Sequence, residues 1–273
     1  MKPLVSTSWL KDNYQKVRII DATWHMPSLQ RDPHKEFLNE HIPRSVFFDL
    51  DKNSDQTTTL PHMLPKKESW QKTVSNFGIK NSDHIIIYDN SNVMSSCRCW
   101  FTFIYFGHDP NLVSVLDGGF KKWKLEDKDL TKEVIDFPKS KYIATFLKDL
   151  VKDKGQIERN IKTNDFKLID ARSSERFNGL VPEPRKGLNS GNIKNSLNFP
   201  FIECINKNDS TFKSPEELLK IFQKYNALGS KDIVFTCGSG VTACILGLAN
   251  SIISGKTPMI YDGSWSEYGL KNK

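Results

Sequence analysis

The sequence predicts an α/β fold that is built twice along the chain. Short, continuously apolar strands alternate with helical patterns, as in the predicted strands Ile85–Tyr88 and Ile233–Thr236 and the predicted helix Pro215–Tyr225. Strands that are apolar at every position are typical of a parallel sheet whose two faces are both covered. Each half of the chain is therefore predicted to be a parallel sheet with helices on both faces.

Four segments recur in the same order in the two halves. The distance from Asp21 to Asp89 is 68 residues, and the distance from Asp170 to Cys237 at the corresponding positions is 67 residues. The matching segments are 21–23 and 170–172, 40–48 and 191–199, 84–89 and 232–237, and 115–123 and 260–265. Ordered matches at nearly equal spacing indicate a tandem repeat. We predict a first domain over residues 1–125, a polar linker over residues 126–153, and a second domain over residues 154–273.

Composition excludes several classes of function. Apolar residues make up 38% and charged residues 26%, so the chain can bury a core. The formal charge of +7 favours acidic small molecules or acidic protein partners, but the lysines are dispersed, so nucleic acid is not predicted as the main partner. There is no N-terminal signal pattern and no apolar run near 18 residues, which predicts a cytoplasmic protein without a membrane segment.

The five cysteines form no CxxC pair and no cluster with histidine, so neither a metal site nor a disulfide framework is predicted. The residues also give no reason to expect an organic cofactor.

The clearest chemical signal is the segment TCGSGVT over residues 236–242. It lies between a predicted buried strand and an apolar helix predicted over about residues 242–250, at the edge of the sheet where α/β proteins bind ligands. Two glycines allow a tight loop whose N–H groups converge, and the helix N-terminus adds partial positive charge. Such a loop would hold Cys237 as a thiolate and cradle an anion bonded to it. The alternative is a buried structural cysteine before a glycine turn.

Two chemistries use a cysteine in such a loop. A cysteine phosphatase needs an arginine six positions after the nucleophile to clamp the phosphate, and here that position is Ala243. A persulfide needs a cradle but no phosphate clamp. The loop therefore favours sulfur transfer over phosphate transfer.

The Cys-Gly-Ser-Gly-Val-Thr segment resembles the active-site loop of the two-domain rhodanese family. Within that family it is more similar to 3-mercaptopyruvate sulfurtransferases than to thiosulfate sulfurtransferases, which commonly carry Cys-Arg-Lys-Gly-Val-Thr. The resemblance covers almost the whole chain and implies an inactive first domain and a second domain that carries the nucleophile Cys237. It also implies a donor-binding loop formed by Gly238, Gly240, Val241 and Thr242.

The resemblance implies further site residues. The arginines of the family's Arg-Phe-x-Gly and Glu-Pro-Arg segments, which hold the donor, correspond to Arg176 and Arg185; the alternative for this pair is surface ion pairing with Glu175 and Glu183. Arg172 is predicted to be structural, paired with an acid inside its domain. In the first copy, Asp51 and His62 match the positions of a carboxylate–imidazole relay that would deprotonate the donor thiol or Ser239. On its own, His62 would be an ordinary surface histidine.

The implied reaction is attack of the Cys237 thiolate on the sulfur of 3-mercaptopyruvate, with transfer of that sulfur to a thiol or to cyanide. A thioredoxin-like dithiol is the implied acceptor. Two alternatives remain open: a thiosulfate:cyanide sulfurtransferase, and a sulfur-relay or interaction protein that serves tRNA or cofactor thiolation. The chain also departs from the family at residues 191–195, where Gly-Asn-Ile-Lys-Asn replaces the usual Gly-His-Ile-Pro-Gly.

Overall fold

The computed structural model describes residues 2–229 and 231–271, which form two compact units. The first unit combines the residues up to Gln56 with Leu64–Leu147 and Asn206–Phe212, and the second combines Thr57–Met63, Lys148–Ile205 and the residues from Lys213 onward. Each unit thus includes a short segment that the chain supplies from the other repeat. The limits of the domains and of the linker stay predictions.

The first unit contains a five-stranded parallel sheet in the order β1-β5-β4-β2-β3. Its strands are β1 (Leu4–Val5), β2 (Arg18–Asp21), β3 (Ser45–Phe47), β4 (Ile85–Tyr88) and β5 (Val113–Leu116). Its helices are α1 (Thr7–Asn13), α2 (Pro33–Asn39), α3 (Lys67–Asn76), α4 (Ser96–Tyr105) and α5 (Gly119–Leu125).

The second unit repeats this arrangement in a parallel sheet of order β6-β10-β9-β7-β8. Its strands are β6 (Val151–Lys152), β7 (Lys167–Asp170), β8 (Leu197–Asn198), β9 (Ile233–Thr236) and β10 (Met259–Tyr261). Its helices are α6 (Lys154–Thr163), α7 (Ser174–Phe177), α8 (Pro215–Lys224), α9 (Ala243–Ser254) and α10 (Ser264–Tyr268). The predicted fold class, a tandem repeat of parallel α/β units, is confirmed, and β4 and β9 have the predicted bounds.

Local sequence signals explain where the helices of the second unit begin. The side chain of Ser214 accepts the N–H of Glu217, and the Glu217 side chain accepts the N–H of Ser214, so α8 starts with a capping box and with Pro215 in its first turn. Helix α9 is different, because its residues are buried on all sides from Ala243 to Ala249. A helix that is apolar all round belongs in a core, and α9 packs against β9 and β10 behind the sheet edge.

The core of the second unit joins the three middle strands of its sheet to helices α6 and α10. Its fully or almost fully buried members are Ile157, Leu168, Ile193, Val234, Tyr261 and Trp265. Trp265 is the member that also reaches the loop after β9, so packing in the core and the position of that loop are coupled. Within the described residues, no helix combines the length and the apolar character that crossing a membrane requires.

The two copies differ at the ends of the matching strands β2 and β7. In the second unit Asp170 pairs with Arg172, whereas in the first unit the position of that arginine is Thr23, whose N–H and hydroxyl both donate to Asp21. Asp21 is buried next to a threonine at the position where Asp170 has an arginine, and burial raises the pKa of Asp21 from 3.8 to about 7. Asp21 is therefore a carboxyl group that folding keeps partly protonated near neutral pH.

We expect this carboxyl to make the protein less stable as pH rises from about 4 to about 7. In that window the folded state holds a proton that the unfolded state has released, so the free energy of unfolding falls with pH, by at most roughly 4 kcal/mol from this group. Urea unfolding of the wild type and of Asp21→Asn across this range measures the effect. The variant should gain stability relative to wild type as pH rises; equal slopes for the two proteins would contradict the assignment.

Candidate active site

Cys237 follows directly on the last residue of β9, and β9 lies between β7 and β10 in the middle of the second sheet. The cysteine is only 2% exposed. Residues 238–242 form the loop that leads into α9, and Gly240 takes a φ of +74°, in the left-handed region that favours glycine. The predicted loop and its nucleophile thus lie at the carboxyl edge of the sheet, where α/β folds bind ligands.

The loop offers several backbone N–H groups next to the thiol. In the part of the chain that the structure describes, the N–H groups of Ser239, Val241 and Thr242 donate to no protein acceptor. The N-terminus of the 12-residue helix α9 follows at once and adds partial positive charge. N–H groups without a protein acceptor, together with a helix N-terminus, form a place where an anion can bind.

A second segment holds the backbone of the cysteine in place. The Ser264 hydroxyl accepts the Cys237 N–H at 3.2 Å and donates to the Tyr261 carbonyl at 2.8 Å, and the Trp265 N–H donates to the Cys237 carbonyl at 3.0 Å. One residue further on, the Gly238 carbonyl accepts both the N–H and the hydroxyl of Ser266, at 2.8 and 2.6 Å. We call Ser264–Ser266 the loop clamp. Because it uses the carbonyls of residues 237 and 238, these oxygens turn away from the space where an anion would bind.

The first unit shows the same loop position without a thiol. There the Asp89 carboxylate accepts the N–H groups of Ser91 and Ser96, at 2.8 and 2.9 Å, and the Phe120 N–H donates to the Asp89 carbonyl as Trp265 does to Cys237. The aspartate side chain thus takes the loop's N–H groups for itself. The first unit therefore has no thiol at this position.

His62 lies in the second unit, within the segment Thr57–Met63, although it belongs to the first repeat. Its Nδ1 is 2.9 Å from the hydroxyl oxygen of Ser239, two residues beyond Cys237. The residue His62 is 4% exposed, and its backbone has a φ of +60°, which L residues rarely adopt. A buried histidine held in an uncommon backbone conformation against a loop serine is not the ordinary surface residue of the alternative interpretation.

Asp51, the predicted partner of His62, lies in the first unit. Its carboxylate accepts the indole N–H of Trp24 at 2.9 Å. The contact between Asp51 and His62 stays a prediction. The contact between His62 and Ser239 is the step of the proposed relay for which the structure gives a distance.

The predicted donor arginine Arg176 stands on the short helix α7, whose first turn is capped by the Ser173 side chain. A Cβ atom added to Gly238 would lie 3.0 Å from Nη2 of Arg176, so this guanidinium is a direct neighbour of the loop. Glu183 accepts from Nε at 3.2 Å and from Nη2 at 2.5 Å. Arg176 is thus both next to the nucleophile loop and ion-paired, and the pairing is with Glu183, one of the two acids of the alternative interpretation.

Arg172 is structural, as predicted. Its side chain is fully buried, it pairs with Asp170 at 2.7 Å and with Glu183 at 2.8 Å, and it lies over the Trp265 ring. Burial alone would lower the pKa of Arg172, but the two carboxylates outweigh burial and raise it. This arginine therefore stays charged and connects the end of β7 to the loop clamp.

Arg185 is half-buried on the segment between α7 and β8, two residues beyond Glu183. Its role in donor binding stays a prediction. The sequence had singled out neither Glu183 as a shared partner of two arginines nor the serines of the loop clamp. For Ser264 the sequence did hold a signal: the matching position of the first repeat is Gly119, which indicates a left-handed backbone. The structure has this conformation at both positions, with φ of +54° at Gly119 and +49° at Ser264.

The remaining cysteines are buried and carry no sign of reactivity. Burial raises the pKa of the Cys99 and Cys204 thiols, which keeps them protonated. Cys244, on the first turn of α9, is buried and donates its thiol to the Gly240 carbonyl at 3.2 Å.

Fold and loop together define a class of protein: a tandem α/β repeat in which the second copy carries a cysteine at the head of a buried helix. A scan against family models matches the rhodanese-like domain twice, over residues 6–126 and 153–271. The chain therefore belongs to the rhodanese family. The predicted resemblance is confirmed by a match that covers most of the sequence.

Named relatives agree with this placement. The chain is 36% identical to 3-mercaptopyruvate sulfurtransferase from Mus musculus, with 99% of this chain and 93% of the mouse protein aligned. It is 38% identical to thiosulfate/3-mercaptopyruvate sulfurtransferase 1, mitochondrial, from Arabidopsis thaliana, over 99% of this chain and 76% of the plant protein. The solved structure of SseA from Escherichia coli, described as a 3-mercaptopyruvate sulfotransferase with a rhodanese fold, superposes with a TM-score of 0.87 at 34% identity and covers 98% of this chain and all of that one.

The loop clamp generates a stability prediction. Ser264→Ala removes the hydroxyl that joins Cys237 to Tyr261, and we expect a loss of roughly 1–3 kcal/mol in the free energy of unfolding. Ser264→Gly loses the same bonds but fits the left-handed backbone without strain, so it should lose less. Urea unfolding of the two variants compares them directly. A glycine variant as unstable as the alanine variant would contradict the assigned strain.

Proposed function

We propose that the chain is a sulfurtransferase that takes sulfur from 3-mercaptopyruvate and carries it as a persulfide on Cys237. The observation that carries this proposal is the cysteine directly after β9, in a loop whose N–H groups at Ser239, Val241 and Thr242 have no protein acceptor among the described residues and which has no cationic side chain. Such a loop stabilises a negatively charged sulfur chain without clamping a phosphate. The names of the aligned relatives support sulfur transfer.

The proposed first step forms an S–S bond and breaks a C–S bond. The Cys237 thiolate attacks the donor sulfur, the electron pair of the C–S bond passes to carbon, and pyruvate leaves as its enolate, which then takes up a proton. In the second step a thiol acceptor attacks the outer sulfur and releases the Cys237 thiolate. A dithiol acceptor ends the sequence by forming its own disulfide and expelling hydrosulfide, and cyanide would leave as thiocyanate.

The pair of His62 and Ser239 is proposed to move the proton of the donor thiol. The 2.9 Å separation between Nδ1 and the hydroxyl allows a proton to pass through the serine to the imidazole. Asp51 would orient the imidazole, and Arg176 with Arg185 would hold the carboxylate and carbonyl oxygens of the donor. The side chain of Arg176 lies against Gly238, which supports its part in this arrangement.

Thiosulfate is the second candidate donor. The Arabidopsis relative carries both donors in its name, and Arg176 next to the loop is a cation that an inorganic anion would also meet. The absence of a cation within residues 237–242 favours the mercapto-oxo acid, because a dianion gains more from such charges than a single carboxylate.

A thioredoxin-like dithiol remains the proposed acceptor, with an acidic surface that suits a chain of formal charge +7. A cytoplasmic location is likewise part of the proposal; the Arabidopsis relative is named as mitochondrial.

Steady-state kinetics with 3-mercaptopyruvate and thiosulfate in parallel test the proposal. We expect kcat/KM to favour 3-mercaptopyruvate by about tenfold or more, since the loop lacks cations. Cys237→Ser should abolish transfer from both donors, because the persulfide cannot form. Preference for thiosulfate would overturn the assigned donor, and no transfer from either donor would overturn the enzymatic role in favour of a sulfur relay.

His62→Ala separates the proton-transfer role from a structural one. We expect kcat/KM for 3-mercaptopyruvate to fall by about 100-fold, the usual contribution of a general base. Transfer from thiosulfate should change much less, since that donor has no proton to lose at neutral pH. Equal losses with both donors would show that His62 supports the loop rather than the proton transfer.

A further inference from the structure

Glu183 is a buried carboxylate that two arginines share. Its side chain is 2% exposed, and it accepts hydrogen bonds from Nη1 of Arg172 at 2.8 Å and from Nε and Nη2 of Arg176. Burying a carboxylate this deeply costs a large desolvation free energy, which is offset only when both carboxylate oxygens accept hydrogen bonds. The two arginines satisfy both oxygens, so the position of Glu183 is fixed by the fold.

The bonds to Glu183 decide which edge of Arg176 faces the nucleophile loop. A guanidinium has two edges that can bind a carboxylate with two parallel hydrogen bonds. Glu183 takes the edge formed by Nε and Nη2, and the Nη2 atom also lies against Gly238. The edge formed by the two Nη groups is thereby left for another acceptor, and one of its two nitrogens, Nη2, is the atom that lies against Gly238.

Glu183 also cancels charge. The connected set consists of two arginines, Arg172 and Arg176, and two carboxylates, Asp170 and Glu183, so its formal charges sum to zero. The loop 237–242 contains no lysine, arginine, aspartate or glutamate. Beside this loop, the fold therefore offers the hydrogen bonds of an arginine while offsetting most of the field that an arginine would exert.

We propose that Glu183 is a specificity-determining residue of the donor site, which aligns Arg176 for a donor carboxylate and offsets its charge so that a monoanionic donor is preferred over a dianion. This inference rests on the proposed sulfurtransferase function and names the residue that sets its donor class. Hydrogen bonds select by geometry, and they serve a carboxylate of single charge well. Glu183 reduces the long-range electrostatic attraction of Arg176 for an anion, on which a dianion such as thiosulfate depends most.

The test compares Glu183→Gln with the wild type and with the matched control Glu175→Gln. Glu175 is an exposed carboxylate on α7 next to Arg176 and is not part of the ion-paired set. We expect Glu183→Gln to lower the ratio of kcat/KM for 3-mercaptopyruvate to that for thiosulfate by about tenfold, mainly through a lower KM for thiosulfate. The control should leave this ratio unchanged. A ratio that is equal in all three proteins would overturn the proposal.

Glu183→Asp separates charge from alignment and guards against misfolding of the glutamine variant. Aspartate keeps the charge but is too short to hold Arg176, so we expect the donor ratio to fall less than in the glutamine variant, and to fall through a higher KM for 3-mercaptopyruvate with KM for thiosulfate unchanged. Thermal unfolding of each variant establishes that it is folded. A shift of the donor ratio in the aspartate variant as large as in the glutamine variant would overturn the role of charge.

Calorimetry distinguishes failure of this inference from failure of the proposed function. In a Cys237→Ser background no turnover occurs, and the dissociation constants of pyruvate and of thiosulfate report the donor site alone. Adding Glu183→Gln should tighten thiosulfate binding about tenfold relative to pyruvate. If it does not, Glu183 does not set the preference, whatever the kinetics show. If it does while the wild type transfers no sulfur, the site is as proposed and the function is wrong.

Discussion

The backbone of Cys237 is held from both sides, and the rest of the site depends on this constraint. The strand β9 delivers the residue, α9 begins six residues later, and the loop clamp takes the carbonyls of residues 237 and 238. With the carbonyl groups of residues 237 and 238 engaged by the loop clamp, the N–H groups of Ser239, Val241 and Thr242 are the backbone groups that the loop leaves for a ligand. The strain at Ser264 is the local cost of this arrangement, since a non-glycine residue there holds a left-handed backbone in order to place its hydroxyl.

Much of the fold was predictable because its signals are local. Continuous apolar strands, glycine loops and the capping box at Ser214 depend on residues near one another in the chain, and β4, β9 and α8 appear where these patterns place them. The site was predictable only in part. A cysteine after a buried strand is a local signal, but the approach of His62 to Ser239 joins residues 177 positions apart, which no periodicity encodes. The same holds for Glu183, whose importance comes from the two arginines that surround it.

The two copies show how one scaffold is kept while its chemistry is lost or gained. At the loop position, the aspartate of the first copy accepts the N–H groups of Ser91 and Ser96, whereas in the second copy several loop N–H groups have no protein acceptor among the described residues. At the end of the preceding strand, the second copy has an ion pair where the first has a partly protonated acid. The sheet order and the contact from Phe120 or Trp265 to the loop are the same in both. The two copies thus share their backbone geometry and differ in their charges.

The short segments that each repeat contributes to the other unit bear on how such a protein can arise and be taken apart. The unit that carries Cys237 includes residues 57–63, and the other unit includes residues 206–212. A polypeptide cut at the middle of the chain would leave the thiol in one fragment and His62 in the other. An isolated second repeat would lack residues 57–63, so Ser239 would lose the imidazole that it faces. The complete second unit can therefore form only when both repeats are present.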